Sequence, residues 1–166
     1  MTVRDFAAEL EEEEKIGSYN EKRFILYPKR WVTYPNQVSL TWERVKFTES
    51  NKSRVPNDQF GVYSFVADSE VANHPACSYL FYIGKTDGNF RTRYTSYLNE
   101  EKKPKPRDHI IRMKKRWPDH LWFYYAAVSD KSIVKQLEDE LITAFLPPMN
   151  RAFPAQVRNV LRMVFS

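Results

Sequence analysis

The chain has 166 residues, 42% of them hydrophobic, with a single cysteine and a formal charge of +5. That length suits one hydrophobic core rather than two, and the apolar residues run along nearly all of it, which argues against a disordered chain. Cys77 alone can build neither an internal disulfide nor a thiolate metal cluster; no apolar run reaches the roughly 20 residues that span a bilayer and no basic-then-apolar leader opens the chain, so an intracellular, cytoplasmic protein without membrane contact is expected.

Residues 1–60 carry ten basic and ten acidic side chains, whereas 61–166 carry sixteen against eleven, so the excess charge sits in the second part. In chain order, Phe6, Leu10 and Ile16 around the acidic run Glu11 to Glu14 suggest a short helix that Gly17, Ser18 and Asn20 end. Between Arg23 and Phe47, aromatic and β-branched residues broken by Pro28 and Pro35 suggest extended strands or arms packed on the main domain. The polar stretch from Glu49 to Asp58 is the best boundary, giving an N-terminal extension (1–59), a main domain (60–151) and a C-terminal helix of the same globule (152–166).

Phe60 to Ala67 and Tyr79 to Lys85 read as two hairpin strands joined by a long polar connection. Thr86 to Asn89 form a turn able to cap a helix through Phe90, Tyr94, Tyr97 and Leu98. After Pro104 and Pro106, residues 102–116 hold eight cations, Lys102, Lys103, Lys105, Arg107, Arg112, Lys114, Lys115 and Arg116, against Asp108. Such a stretch suits a phosphate backbone, with a solvated loop and helix face as the plain alternative. Trp117 ends its apolar pattern, as a packed residue or a base-stacking one. A third strand from Leu121 to Val128 precedes a helix from about Lys131 to Phe145, with its stripe at Ile133, Val134, Leu137, Leu141 and Phe145. A last helix is expected over Ala155 to Met163. Strands alternating with helices, one pair of them a hairpin, indicate an α/β fold on a small sheet.

Gly61-Val62-Tyr63, then Tyr82-Ile83-Gly84-Lys85, then Phe90 to Tyr97 with Arg93, and finally Glu138, Leu141-Ile142, Pro147 and Asn150 follow one another over about 90 residues. In this order and spacing the chain resembles the GIY-YIG nuclease family, including the nuclease module of the bacterial excision-repair incision protein and small restriction or phage endonucleases. The resemblance covers residues 60 to about 150. It implies a three-stranded antiparallel sheet flanked by helices and an endonuclease that hydrolyses DNA phosphodiester bonds. It also implies the roles: Tyr63 and Tyr82, helped by Lys85, activate water; Arg93 meets the phosphate; Tyr97 stands where relatives place a histidine or tyrosine. Glu138 would hold one Mg²⁺ or Mn²⁺, and Asn150 would order the metal-side network or the phosphate.

Elementary chemistry fits these roles. A phenol of pKa about 10 acts as a base near neutrality only if cations such as Lys85 and Arg93 lower that value. A guanidinium fork matches phosphate oxygens, and one carboxylate with waters suits one hard cation rather than two. The turn between Gly84 and Phe90 is one residue longer than in close relatives, so Arg93 faces the phosphate only if Gly88 absorbs the extra residue; otherwise Arg91 takes its place. Arg91 and Arg151 are also candidate phosphate contacts. His74, His109 and His120 lack metal-ligand spacing, and no glycine-rich phosphate loop announces a nucleotide cofactor. A non-catalytic DNA-binding or interaction module and an RNA-cleaving enzyme are the other readings. A homodimer would let one-metal sites cut both strands.

Overall fold

The computed structural model describes residues 24–35, 38–71, 78–154 and 157. The expected N-terminal helix, most of the hairpin connection with His74 and Cys77, and the C-terminal helix apart from Val157 lie outside these residues. Among the described residues no helix is long and apolar enough to cross a membrane.

The elements run α1 (Pro28–Val32), β1 (Glu43–Lys46), a 3₁₀ segment (Glu49–Arg54), β2 (Gly61–Asp68), β3 (Ser78–Thr86), α2 (Phe90–Leu98), a 3₁₀ turn (Glu100–Lys102), α3 (Asp108–Arg116), β4 (Leu121–Ala127), a 3₁₀ turn (Lys131–Ile133) and α4 (Val134–Phe145). All strand pairings are antiparallel, in the order β1-β4-β2-β3. The sheet therefore has four strands where the resemblance implied three. The added strand comes from the N-terminal extension: Glu43 to Lys46 pair with Tyr125 to Trp122 of β4. Part of the expected extended arm is instead the short helix α1, which begins at Pro28, where a proline's missing N–H costs nothing. Trp31 of α1 donates its indole N–H to the Ala144 carbonyl of α4 at 2.6 Å.

Period-two alternation sorts the sheet side chains into two cores. On one face Tyr63, Phe65, Leu121, Phe123 and Tyr125 pack with Phe90, Tyr94 and Tyr97 of α2 and Ile110 and Met113 of α3. On the other, Val62, Ile83 and Ala126 meet Leu137, Leu141 and Ile142 of α4. Each fully buried aromatic or large aliphatic contributes roughly 1.5–3 kcal/mol, and Phe65, Phe90 and Phe123 have no exposed surface at all. Trp117 packs on Phe81, ring centroids 4.4 Å apart, the packed alternative of its two readings.

The segment before β2 is fastened to α2. The Tyr94 hydroxyl donates to the Thr48 carbonyl at 2.7 Å and accepts from the Thr48 amide at 2.8 Å. Arg91 donates to the carbonyls of Val55 and Ser53 at 2.8 and 2.9 Å. The polar boundary segment is thus part of the packed structure, and it holds α2 at a fixed distance from the sheet.

Candidate active site

The two tyrosines of the strand motifs stand on neighbouring strands of one sheet face. Tyr63 lies opposite Gly84, and Tyr82 lies opposite Phe65, with a bulge beyond that pair restoring the register at Leu80. Gly84 is there because the Tyr63 ring lies across it: a Cβ at this position would stand 2.6 Å from the ring carbon bearing the hydroxyl. Any larger residue would push the phenol away from its partners.

Those partners come from α2. Asn89 caps the helix by accepting from the Thr92 amide at 2.8 Å, which sets its phase. Four residues on, the Nε of Arg93 donates to the Tyr63 hydroxyl at 2.9 Å, and one turn later the Tyr97 hydroxyl shares a hydrogen bond of 2.9 Å with the same oxygen. Arg93 is accordingly the inward arginine, and Arg91 is spent on the 3₁₀ segment. Among the described residues Arg93 has no carboxylate partner, only the Tyr63 hydroxyl and the Tyr63 and Tyr97 rings at 6.0 and 5.9 Å.

In front of this cluster opens a cleft of about 450 Å³ lined by Tyr82, Arg107, His109, Glu138, Asp139, Asn150 and Arg151, among others. Glu138 projects from α4 with its side chain 16% exposed, 3.2 Å from Lys135 one turn earlier. Its oxygens are the hard donors a divalent cation takes, and the open cleft leaves room for waters, so the residues fit one ion held through one carboxylate. No group of three or more His, Cys, Asp or Glu that could hold a metal ion occurs among the described residues.

Three expected roles change in the folded chain. Lys85 pairs in register with Val62, on the α4 face of the sheet, and its ammonium binds Asp87. It stands on the opposite side of the strand from Tyr82's neighbours and does not supply the cation expected to lower the phenols. Nor are the phenols lowered. Burial, reinforced by Tyr82, pushes the Tyr63 hydroxyl up to about 12 despite Arg93; Tyr82 and Tyr97 are also raised, chiefly by burial. Desolvation of the phenolate outweighs the attraction of the nearby guanidinium groups. Asn150, finally, is committed to the backbone: its amide donates to the Ile83 carbonyl at 2.8 Å and accepts from the Ile83 amide at 2.9 Å. It positions Tyr82's strand rather than presenting its whole amide to the cleft.

The basic segment is not a uniform cationic strip. Lys103 and Arg107 bind Glu100, and Lys114 and Lys115 reach Glu101 at 3.6 and 4.0 Å. Lys102 and Lys105 are exposed. Arg112 and Arg116 line a second, smaller pocket together with His109, Trp117 and Arg151, beside the cleft. Sequence reasoning missed two residues. His109 faces both pockets, with its Nδ1 buried and without a partner among the described residues. Burial first, then Arg151 and Arg107, lower its pKa, so it is neutral at pH 7. Glu100 is completely buried; an acid flanked by Lys102, Lys103 and Arg107 was the only hint of it in the sequence.

Compared with family models, with curated proteins and with solved structures, the chain has no match in any of the three.

Proposed function

We propose that this protein is a metal-dependent nuclease that hydrolyses phosphodiester bonds of DNA in the cleft between Tyr82 and Glu138. The observation that carries the reading is convergence. Residues from β2, β3 and α2, 34 positions apart for Tyr63 and Tyr97, meet in one hydrogen-bonded cluster, and the cleft before it holds two carboxylates, Glu138 and Asp139, and further cations. Phosphodiester hydrolysis needs those parts: a base, cations for the charge on phosphorus, and help for the leaving oxygen.

We assign the base to Tyr82, half-buried and lining the cleft: its ionised form takes a proton from water as the water oxygen attacks phosphorus and the bond to the 3′ oxygen breaks, the leaving oxygen taking a proton from solvent. Tyr97 and Tyr63 stand behind it and hold its ring, and Arg93 offers its remaining N–H groups to the phosphate oxygens. Mg²⁺ or Mn²⁺ held by Glu138 would act as a Lewis acid on the phosphate. A non-catalytic nucleic-acid-binding module is the second reading, favoured by two observations: the phenols are raised and Lys85 is turned away.

Supercoiled plasmid, linear duplex, single-stranded DNA and RNA, each incubated with Mg²⁺, Mn²⁺ or EDTA, test the reading. We expect metal-dependent DNA cleavage that Glu138→Ala and Arg93→Ala each reduce by about 10²-fold or more, the cost of removing one charge-stabilising group. No cleavage of any substrate by the native chain, with DNA still bound, leaves the binding module; cleavage of RNA alone reassigns the substrate.

A further inference from the structure

Glu100 is the one fully buried carboxylate among the described residues. Its Oε1 accepts from the Arg107 backbone amide at 3.0 Å and from Arg107 Nε at 2.9 Å; its Oε2 accepts from Arg107 Nη2 at 2.7 Å and from Lys103 Nζ. Burial opposes ionisation, but the hydrogen bonds from Arg107 and Lys103 outweigh it and hold the carboxyl down at about 2. A buried ion pair is a weak way to gain stability, because apolar residues of the same volume do as well or better. What it does provide is geometry. The Nε–Nη2 edge of the guanidinium is fixed on the carboxylate, and Cζ lies 4.8 Å from the centre of the Tyr97 ring. Pro104 and Pro106 restrict the connection between the two partners. The same Arg107 lines the cleft with Tyr82 and Glu138. Two cations on one carboxylate leave a net positive charge, the sign that an anionic ligand needs.

We propose that Glu100 is a positioning residue that holds the Arg107 guanidinium at the cleft wall, where the N–H groups not taken by Glu100 and Tyr97 bind a non-bridging oxygen of a nucleic-acid phosphodiester. This rests on reading the cleft as a phosphodiester site, and it makes Arg107 a ligand inside the cleft rather than one grip among many along a basic strip. Arg93 acts from the Tyr63 side and Arg107 from the Tyr97 side, so two planar forks flank the phenol cluster.

Binding, measured without catalysis, decides it. The full chain is titrated into a fluorescently labelled duplex in EDTA at several salt concentrations, with Arg107→Gln, Arg107→Lys, Glu100→Gln and the double variant Glu100→Gln/Arg107→Lys beside it. Arg107→Gln should weaken binding roughly tenfold and reduce the slope of log K against log salt by about one. Arg107→Lys should keep the slope and still lose affinity, because an ammonium lacks the fork. Glu100→Gln should weaken binding in the native background and add nothing when combined with Arg107→Lys, even where it lowers the melting temperature in both. Arg107→Gln binding with native affinity and slope overturns the proposal, as does a Glu100→Gln loss of equal size in both backgrounds. A native chain that takes up inorganic phosphate by calorimetry but no duplex also overturns it. If Glu100→Gln does not fold, the two single Arg107 variants decide the question. Duplex binding through Arg107 by a chain that cuts nothing in Mg²⁺ or Mn²⁺ supports this assignment while removing the hydrolase reading.

Discussion

Each phenol of the cluster is held in its neutral form, and this sets the pH at which the site can work. Tyr63 sits at about 12 because its ring is buried between Gly84, Phe123 and Tyr97, where a phenolate would lose its water. Tyr82 is raised for the same principal reason, although it lines the cleft. A base whose folded pKa lies well above neutrality is active only in the small ionised fraction, and that fraction grows about tenfold per pH unit below the pKa. We therefore expect kcat/KM for DNA cleavage to climb by about that factor per unit between pH 7 and 9, without a plateau. His109 is the one imidazole among the described residues of the cleft wall, and its pKa, lowered by burial and then by Arg151 and Arg107, has the opposite consequence. A rate that is flat above pH 7 and falls below it would transfer the base role from Tyr82 to His109.

At the scale of elements, the edge strand β3 carries Tyr82 and would present unpaired backbone groups outward. The chain closes that edge with the segment after α4: the Met149 amide donates to the Phe81 carbonyl at 2.9 Å, and the Asn150 side chain pairs with both backbone groups of Ile83. An asparagine can do this because its amide has the donor and acceptor of a peptide unit. Leu146, in the left-handed region at φ 47°, and the two prolines after it turn the chain from α4 back to the strand. Asn150→Ala should destabilise the fold by about 1–3 kcal/mol, the range for leaving buried partners unsatisfied, readable as a lower denaturant midpoint. It should also lower kcat through the displaced Tyr82 more than it weakens DNA binding. Unchanged stability would mean that water replaces the amide and that Asn150 does not hold the strand. These elements were largely legible beforehand: α2 spans the expected Phe90 to Leu98, and β2, β3 and β4 fall within a residue or so of their expected limits. Clear periodicity, turn residues and prolines marked them. β1 and α1 were not separable in the stretch 23–47, because aromatic residues broken by prolines suit a strand, an arm and a short helix alike, and only the partner surface chooses.

In the molecule as a whole, the positive charge is less available than a count along the chain suggests. Four of the eight cations in 102–116 are drawn onto Glu100 and Glu101, two residues that stand just outside that window. Arg107 and Arg151 line the cleft beside Glu138 and Asp139, and Arg112 and Arg116 line the neighbouring pocket. Under the proposed function, one ion held by Glu138 serves one strand at a time, so a single chain should nick. On supercoiled plasmid we expect nicked circles to accumulate first, with linear product rising more steeply than in proportion to protein concentration if two chains act together. Linear product from the outset at low concentration, with a monomeric sedimentation coefficient, would count against that arrangement. By itself, the sequence determined the α/β class, the hairpin, the helix carrying Arg93 and the order of the candidate residues, because hydrophobic period, capping and proline are local properties. Tertiary structure alone decided that a fourth strand completes the sheet, that Lys85 faces away, that Asn150 binds a strand, that the phenols stay protonated and that Glu100 holds Arg107. Each of those depends on which groups are buried against which partners, and neither desolvation nor strand register is a property of residues taken one window at a time.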